Sequence, residues 1–150
     1  MNRYVWILFL TAFNAHAFCF NEAGQRYQID PLLLRAIALQ ESSLDPHAVN
    51  NNKDSKGRVT SSDYGVMQIN SSHIPELTRL GILHSKDDLL KNPCLNVHIG
   101  AWILARAFQT CNVNWECLGA YNAGFKPVNP RRMAYARKVF DRYKKLKGYP

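Results

Sequence analysis

Ahead of three apolar-periodic runs stands a short polar residue followed directly by proline: Asp30-Pro31, Asn92-Pro93 and Asn129-Pro130. Each pair reads as a helix start. The Asp or Asn side chain can accept from the first unpaired N–H groups, and proline at the first helical position lacks an N–H that would otherwise have no partner. Asp30-Pro31 opens a helix that the apolar spacing carries to about Ser42. Asn92-Pro93 opens a longer one, whose Cys94, Val97, His98, Ala101, Ala105 and Phe108 recur at helical spacing. The last helix begins at Asn129-Pro130, with Ala136, Val139, Phe140 and Tyr143 facing inward and the basic residues outward. Earlier, Phe20, Ala23, Gly24 and Tyr27 share one helical face, and Asn114 can cap a helix ending near Gly124. Shorter helices follow Ser71 and Ser85, the latter at capping-box spacing from Asp88. Only Val49 and Val59 hint at a small hairpin. They lie in or beside a polar stretch, Asp45 to Ser62, that is either a floppy loop or part of a cleft. The expected fold is mainly α.

The first seventeen residues read differently. Asn2 and Arg3 make a short positive start, Tyr4 to Phe13 is an apolar run of ten broken only by Thr11, and Ala15-His16-Ala17 supplies a small–x–small cleavage pattern. Ten residues of helix span about 15 Å, half of a bilayer core of roughly 30 Å. We read residues 1–17 as a signal peptide and 18–150 as one domain. Phe18 before Cys19 is too bulky for a lipoprotein site, and no later stretch is long enough to span a membrane. The expected product is secreted to the bacterial periplasm. All four cysteines fall in the mature part, as suits an oxidising compartment. Three pairings are open. Cys111–Cys117 would close a short interhelical loop, leaving Cys19–Cys94 to tether the N-terminus. No close Cys/His cluster has metal-ligand spacing, so we expect no metal.

The net charge is +8, and eight bases fall between Arg131 and Lys147 against one acid, Asp141. Such a stripe could be a solvated face, or could meet nucleic acid, anionic lipid or the acidic peptide stems of a cell wall. No aromatic-interleaved nucleic-acid signature accompanies it, and export argues against that partner.

Glu41 is the most informative residue. It lies seven after Leu34, four after Ile37 and three after Ala38, so it projects from the apolar stripe of its helix. Burial and the negative end of the helix dipole both disfavour the anion there and raise the pKa. A carboxylic acid that donates a proton near neutral pH needs that shift. A frayed helix end, or an ion pair with Arg35, is the alternative reading.

Glu41-Ser42, then Gly65-Val66-Met67-Gln68-Ile69-Asn70, then Ala120-Tyr121-Asn122-Ala123-Gly124 resemble, in order and spacing, the three signature motifs of lytic transglycosylases. The short exported form is similar to specialised members that serve conjugation and type III or type IV secretion machinery. The resemblance extends to Cys19, to Asn92-Pro93-Cys94 and to the last helix. It implies a lysozyme-like fold, peptidoglycan glycan strands as substrate, no cofactor, and components of a secretion or conjugation complex as partners. It implies Glu41 as the catalytic acid and base. Met67 and Gln68 would line the glycan groove, and Gly65 would let backbone approach the sugar. Tyr121 would orient the acid through its hydroxyl, and Asn122 would help hold the site together. Ser42 and Asn50 would be polar contacts, although many members carry serine where Asn50 stands, and Tyr135 would complete the pocket wall. For Met67 and Tyr135, core packing is an equal reading.

The segment Ser62 to Ser71 also resembles the catalytic stretch of animal-type lysozymes. Asp63 would there be the second carboxylate of a retaining hydrolase. Its bland reading is a turn residue. Three functions are thus carried forward: transglycosylase, two-carboxylate muramidase, and a wall-binding protein without catalysis. His73, His84 and His98 show no metal spacing and no paired nucleophile and read as ordinary positions; His47 could approach the cleft.

Overall fold

The computed structural model describes residues 18–125 and 129–149. The expected signal peptide lies outside them. Among the described residues, seven α-helices and a three-stranded sheet follow in the order α1 (Phe20–Tyr27), α2 (Pro31–Ser42), β1 (Val49–Lys53), β2 (Val59–Tyr64), β3 (Ile69–Asn70), α3 (Ile74–Arg79), α4 (Asp88–Lys91), α5 (Pro93–Cys111), α6 (Trp115–Ala123) and α7 (Pro130–Leu146). A 3₁₀ turn, Ser71–His73, leads into α3. Among the described residues no helix is long and apolar enough to cross a membrane.

The three proline-marked starts carry the caps that their chemistry suggests. Asp30 accepts from the Leu32 N–H at 2.8 Å, Asn92 from that of Leu95 at 2.9 Å and Asn129 from that of Arg131 at 3.0 Å. Asn114 caps α6 in the same way, through the Cys117 N–H. The Asp30 cap is also a tertiary joint, since its other oxygen accepts from Tyr143 and lies 3.1 Å from the Lys147 ammonium. Asp88 reaches back to the N–H groups of His84 and Ser85, so α4 starts at Asp88 itself.

The core is drawn from α2, α5 and the short strand–turn segment, with Leu34, Ile37, Met67, Ile69, Val97 and Leu104 fully or nearly fully enclosed. On α5 the buried set includes Asn96, Ile99, Gly100, Leu104 and Ala107, whereas His98, Ala105 and Phe108 are only half-buried. The helix is packed by α1, α4, α6 and β3, and no single stripe describes it. α7 corrects two expectations. Phe140 is exposed, and Arg132 is buried, its Nε donating to the Gly124 carbonyl at 2.8 Å. Gly119 of α6 explains how the two helices meet, because a side chain there would collide with the backbone of Arg132.

The polar stretch after α2 is neither floppy nor simply a loop. Half of it is strand, β1 and most of β2, in a sheet ordered β1-β2-β3 and antiparallel throughout, with Asn50 opposite Asp63 and Asp63 opposite Asn70. Val49 and Val59 are exposed and contribute no core. Side-chain amides and hydroxyls bind the strands instead: Asn52 to Ser61 and Asp63, Ser62 to Asn51, Asn70 to Asp63. Such a sheet leaves no period-two apolar signal, which is why β3 was not anticipated.

Cys19 bonds Cys94 and Cys111 bonds Cys117. The first bridge closes a loop of 75 residues, and on the chain-entropy argument stabilises by about 4 kcal/mol.

Candidate active site

Glu41 lies in the last turn of α2, and Ser42 fixes that turn against the sheet. The Ser42 hydroxyl donates to the Val66 carbonyl at 2.8 Å, with the Ala38 carbonyl at 3.3 Å. The segment it meets, Gly65 to Gln68, is a tight turn with Gly65 at φ 75 and Gln68 at φ 51. Asn96 holds that turn from within the core. Wholly buried, it accepts from the Met67 N–H at 2.8 Å and donates to the carbonyls of Tyr64 at 2.9 Å and Leu89 at 3.0 Å. Every polar atom of its amide therefore has a partner where water has no access.

The Glu41 carboxyl accepts from the Tyr135 hydroxyl at 2.5 Å. Tyr121 instead donates to the Met67 carbonyl at 2.8 Å, tying α6 to the turn. The hydroxyl expected from Tyr121 is thus supplied by Tyr135, on another helix ninety-four residues from the acid. Gln68 is fastened at both ends: its Nε2 donates to the carbonyls of Ala48 and Gly65, and its Oε1 accepts from Asn50 at 2.6 Å. Asp63 accepts from Asn70 at 2.7 Å and from Asn52 at 2.8 Å, one to each oxygen.

A cleft of about 510 Å³ opens between the sheet and the helices, with Glu41, Asp63, Gln68, Tyr121 and Asn122 all on its wall. Met67 is not there; it is fully buried, its side chain packed over Gly100. Gly65 also has an inward reason for being glycine. A Cβ would collide with the Asn96 amide and the Leu89 carbonyl, at a positive φ that side chains disfavour. Ser42 and Asn50 act through the Val66 carbonyl and Gln68. His47 is exposed and takes no part in the cleft wall. Asn52, Ile103 and Phe125 do line it and were not singled out in the sequence, as do Asn70, named there only within its motif, and His73, read there as an ordinary position. A groove of about 560 Å³ between α1 and α5 carries no carboxylate on its walls and so offers no general acid.

Burial raises the Glu41 pKa to about 7; the Tyr135 hydrogen bond opposes the shift, and the negative charge of Asp63 adds to it. Burial also lifts the Tyr121 and Tyr135 hydroxyls well above their ordinary range, so both remain donors. His73, half-buried, is shifted down by desolvation and presents a neutral imidazole near pH 7. The site therefore holds one carboxyl poised between its two protonation states, beside Asp63, itself held by two amides, and a row of amides suited to sugar hydroxyls. Replacing Tyr135 by Phe should move the alkaline limb of the pH profile upward, since its hydrogen bond stabilises the carboxylate. It should also lower kcat by about tenfold through loss of orientation. A pH–rate profile with the limb unmoved would show that the hydroxyl has no hold on the acid.

The transglycosylase SLT domain family matches residues 18–143. A peptidoglycan-binding-like protein of Escherichia coli O157:H7 is 48% identical over 133 residues, covering 88% of this chain and 80% of its own length. The invasion protein IagB of Salmonella typhimurium SL1344 is 41% identical over 145 residues, covering 96% and 85%. Among solved structures, an inactive mutant of the lytic transglycosylase Slt from Pseudomonas aeruginosa superposes with a TM-score of 0.63 at 20% identity. The match covers 91% of this chain and 25% of that one, so the chain spans a quarter of Slt's length and shares its lysozyme-like fold.

Proposed function

The chain belongs to the transglycosylase SLT domain family, the peptidoglycan lytic transglycosylases of lysozyme-like fold, and from that premise we propose that Glu41 is both acid and base of glycan-strand cleavage. As a carboxylic acid, Glu41 gives its proton to the oxygen that bridges N-acetylmuramic acid and N-acetylglucosamine. The C1–O bond breaks, and the N-acetyl carbonyl of the muramic residue stabilises the oxocarbenium character at C1. Glu41, now a carboxylate, takes the proton of the C6 hydroxyl of the same sugar. That oxygen bonds to C1 and closes a 1,6-anhydro ring. No water enters, and the acid ends as it began.

The observation that supports this reading is the Glu41 carboxyl, its pKa raised to about 7, seated in the cleft under a Tyr135 donor. Gln68, Asn122 and Tyr121 would contact or frame the sugar, and residues 1–17 would direct export to the periplasm and then be removed. Kinship with a protein named for invasion supports local wall opening beside a type III or type IV secretion or conjugation apparatus.

The two-carboxylate muramidase differs in its product. Mass spectrometry of digested muropeptides should find anhydro ends, lighter by one water than reducing ends. Asp63→Asn should keep roughly a third or more of the activity, as expected for a residue that acts through its field rather than as a nucleophile. Its alkaline limb should move down, because the charge that raises the Glu41 pKa is gone. Reducing ends, together with a loss in Asp63→Asn equal to that in Glu41→Gln, would establish the hydrolase instead.

A further inference from the structure

A glycosidic bond joins two sugars, so a strand lying over Glu41 must continue on both sides of it. The cleft accounts for one side, between Glu41 and Phe125, and no residue of α7 lines it. On the acid's other side stand the end of α2 and α7, whose Tyr135 holds the carboxyl.

At 3.6 residues per turn, Arg131, Lys138, Arg142 and Lys145 fall within about 60° of one another around α7, and Tyr135 lies about 20° beyond Arg142. They form a band about 21 Å long beside the tyrosine that touches Glu41. Arg142 anchors the band to the acid's own helix, its Nε donating at 3.0 Å to Gln40, the residue before Glu41. Among the described residues, no carboxylate pairs with Arg131, Lys138, Arg142 or Lys145. The other bases of α7 are mostly occupied: Arg132 with Gly124 and Glu116, Lys147 with Asp30, Lys144 over the Phe140 ring. Arg137, on the outer face by the Trp115–Phe140 notch, belongs to neither set. Asp141, the helix's one acid, sits at the edge of the band.

We propose that Arg131, Lys138, Arg142 and Lys145 form a binding site for the carboxylates of the peptide stems carried by muramic acid, so that the enzyme selects stem-bearing strands. The inference rests on the transglycosylase reading and adds to it a cationic recognition element that does not touch the reacting bond. The cations take the stem as exposed, screened charges, each contributing modestly and together producing a preference of about tenfold. Remote contacts made equally before and at the transition state act on KM rather than on kcat.

The test compares kcat/KM on three substrates: stem-bearing strands, strands stripped by an amidase, and strands whose stem carboxylates are amidated. It uses the wild type and an Arg131→Gln/Lys138→Gln/Lys145→Gln variant, which leaves the Arg142–Gln40 bond intact. The wild type should favour charged stems about tenfold over the other two substrates, through KM, and the preference should shrink in salt. In the variant, the ratio should fall to within about twofold of unity. A wild-type ratio near one, equal use of amidated stems, or an unchanged ratio in a folded variant would each overturn the proposal. So would a variant whose only defect is lost retention on phosphatidylglycerol vesicles, which would turn the band toward lipid. Wild-type enzyme that cleaves none of the three substrates would instead remove the function on which this rests.

Discussion

Glu41→Gln should abolish strand cleavage, lowering kcat/KM by at least about a thousandfold, while making the protein more stable at alkaline pH. The first effect follows from the mechanism, since glutamine neither gives nor reclaims a proton. The second follows from the same burial that suits the acid to its task. The carboxyl ionises near its ordinary 4.5 in the unfolded chain and at about 7 in the folded one. Below 4.5 both states are protonated and the residue is neutral with respect to stability. Between the two values the unfolded chain loses its proton while the folded one keeps it, so folding is increasingly opposed. Above about 7 the full cost applies, roughly 3 kcal/mol at 1.36 kcal/mol per unit. Glutamine, uncharged throughout, escapes this. Thermal melting of the two proteins should therefore coincide near pH 4 and separate by pH 8, with the variant melting higher. If the variant is the less stable at pH 8, the acid is not held at a cost, and the proton-donor role loses its physical basis.

Asn96→Leu should cost about 4 kcal/mol and reduce activity more than tenfold even at temperatures where the variant stays folded. Leucine is close in size, so little of this arises from a cavity. The loss comes from the Met67 N–H and the carbonyls of Tyr64 and Leu89, all left buried without their partner. A buried group that loses its hydrogen bond forfeits about 1–3 kcal/mol. The functional loss follows from position. Asn96 pins the turn that carries Gln68, receives the Ser42 hydroxyl and offers the Met67 carbonyl to Tyr121. Urea unfolding measures the first effect, and a muropeptide assay at low temperature the second. A variant that unfolds more easily but cleaves normally would make Asn96 a stability residue alone.

Asn96 also shows where sequence reading stops. It stands beside Val97 on a long apolar helix, and nothing in its spacing distinguishes it from a surface amide. Its importance lies in three backbone groups that converge on it, two from a turn about thirty residues back and one from the preceding helix. The two tyrosines make the same point. Tyr121 was read as orienting the acid and Tyr135 as pocket wall or core packing, yet which hydroxyl reaches Glu41 depends on how α6 and α7 approach α2. Gly119 sets the α6–α7 approach through a close contact with the backbone of Arg132. Met67, read equally as groove or core, and Gly65, read as a groove residue, face inward because the turn closes on Gly100 and Asn96.

What the sequence determined by itself is local and chemical. Asp30, Asn92, Asn114 and Asn129 mark helix starts because capping is settled within three residues of chain. Glu41 is marked as unusual because an acid on an apolar face is costly wherever that face is buried. Only the tertiary structure decided what converges on that acid: the Tyr135 donor, the Asp63 field, and a polar sheet whose amide partners have no period to betray them. Hydrogen bonds such as that between Tyr135 and Glu41, ninety-four residues apart, depend on helix crossings and close packing, and these are properties of the folded whole rather than of any window along the chain.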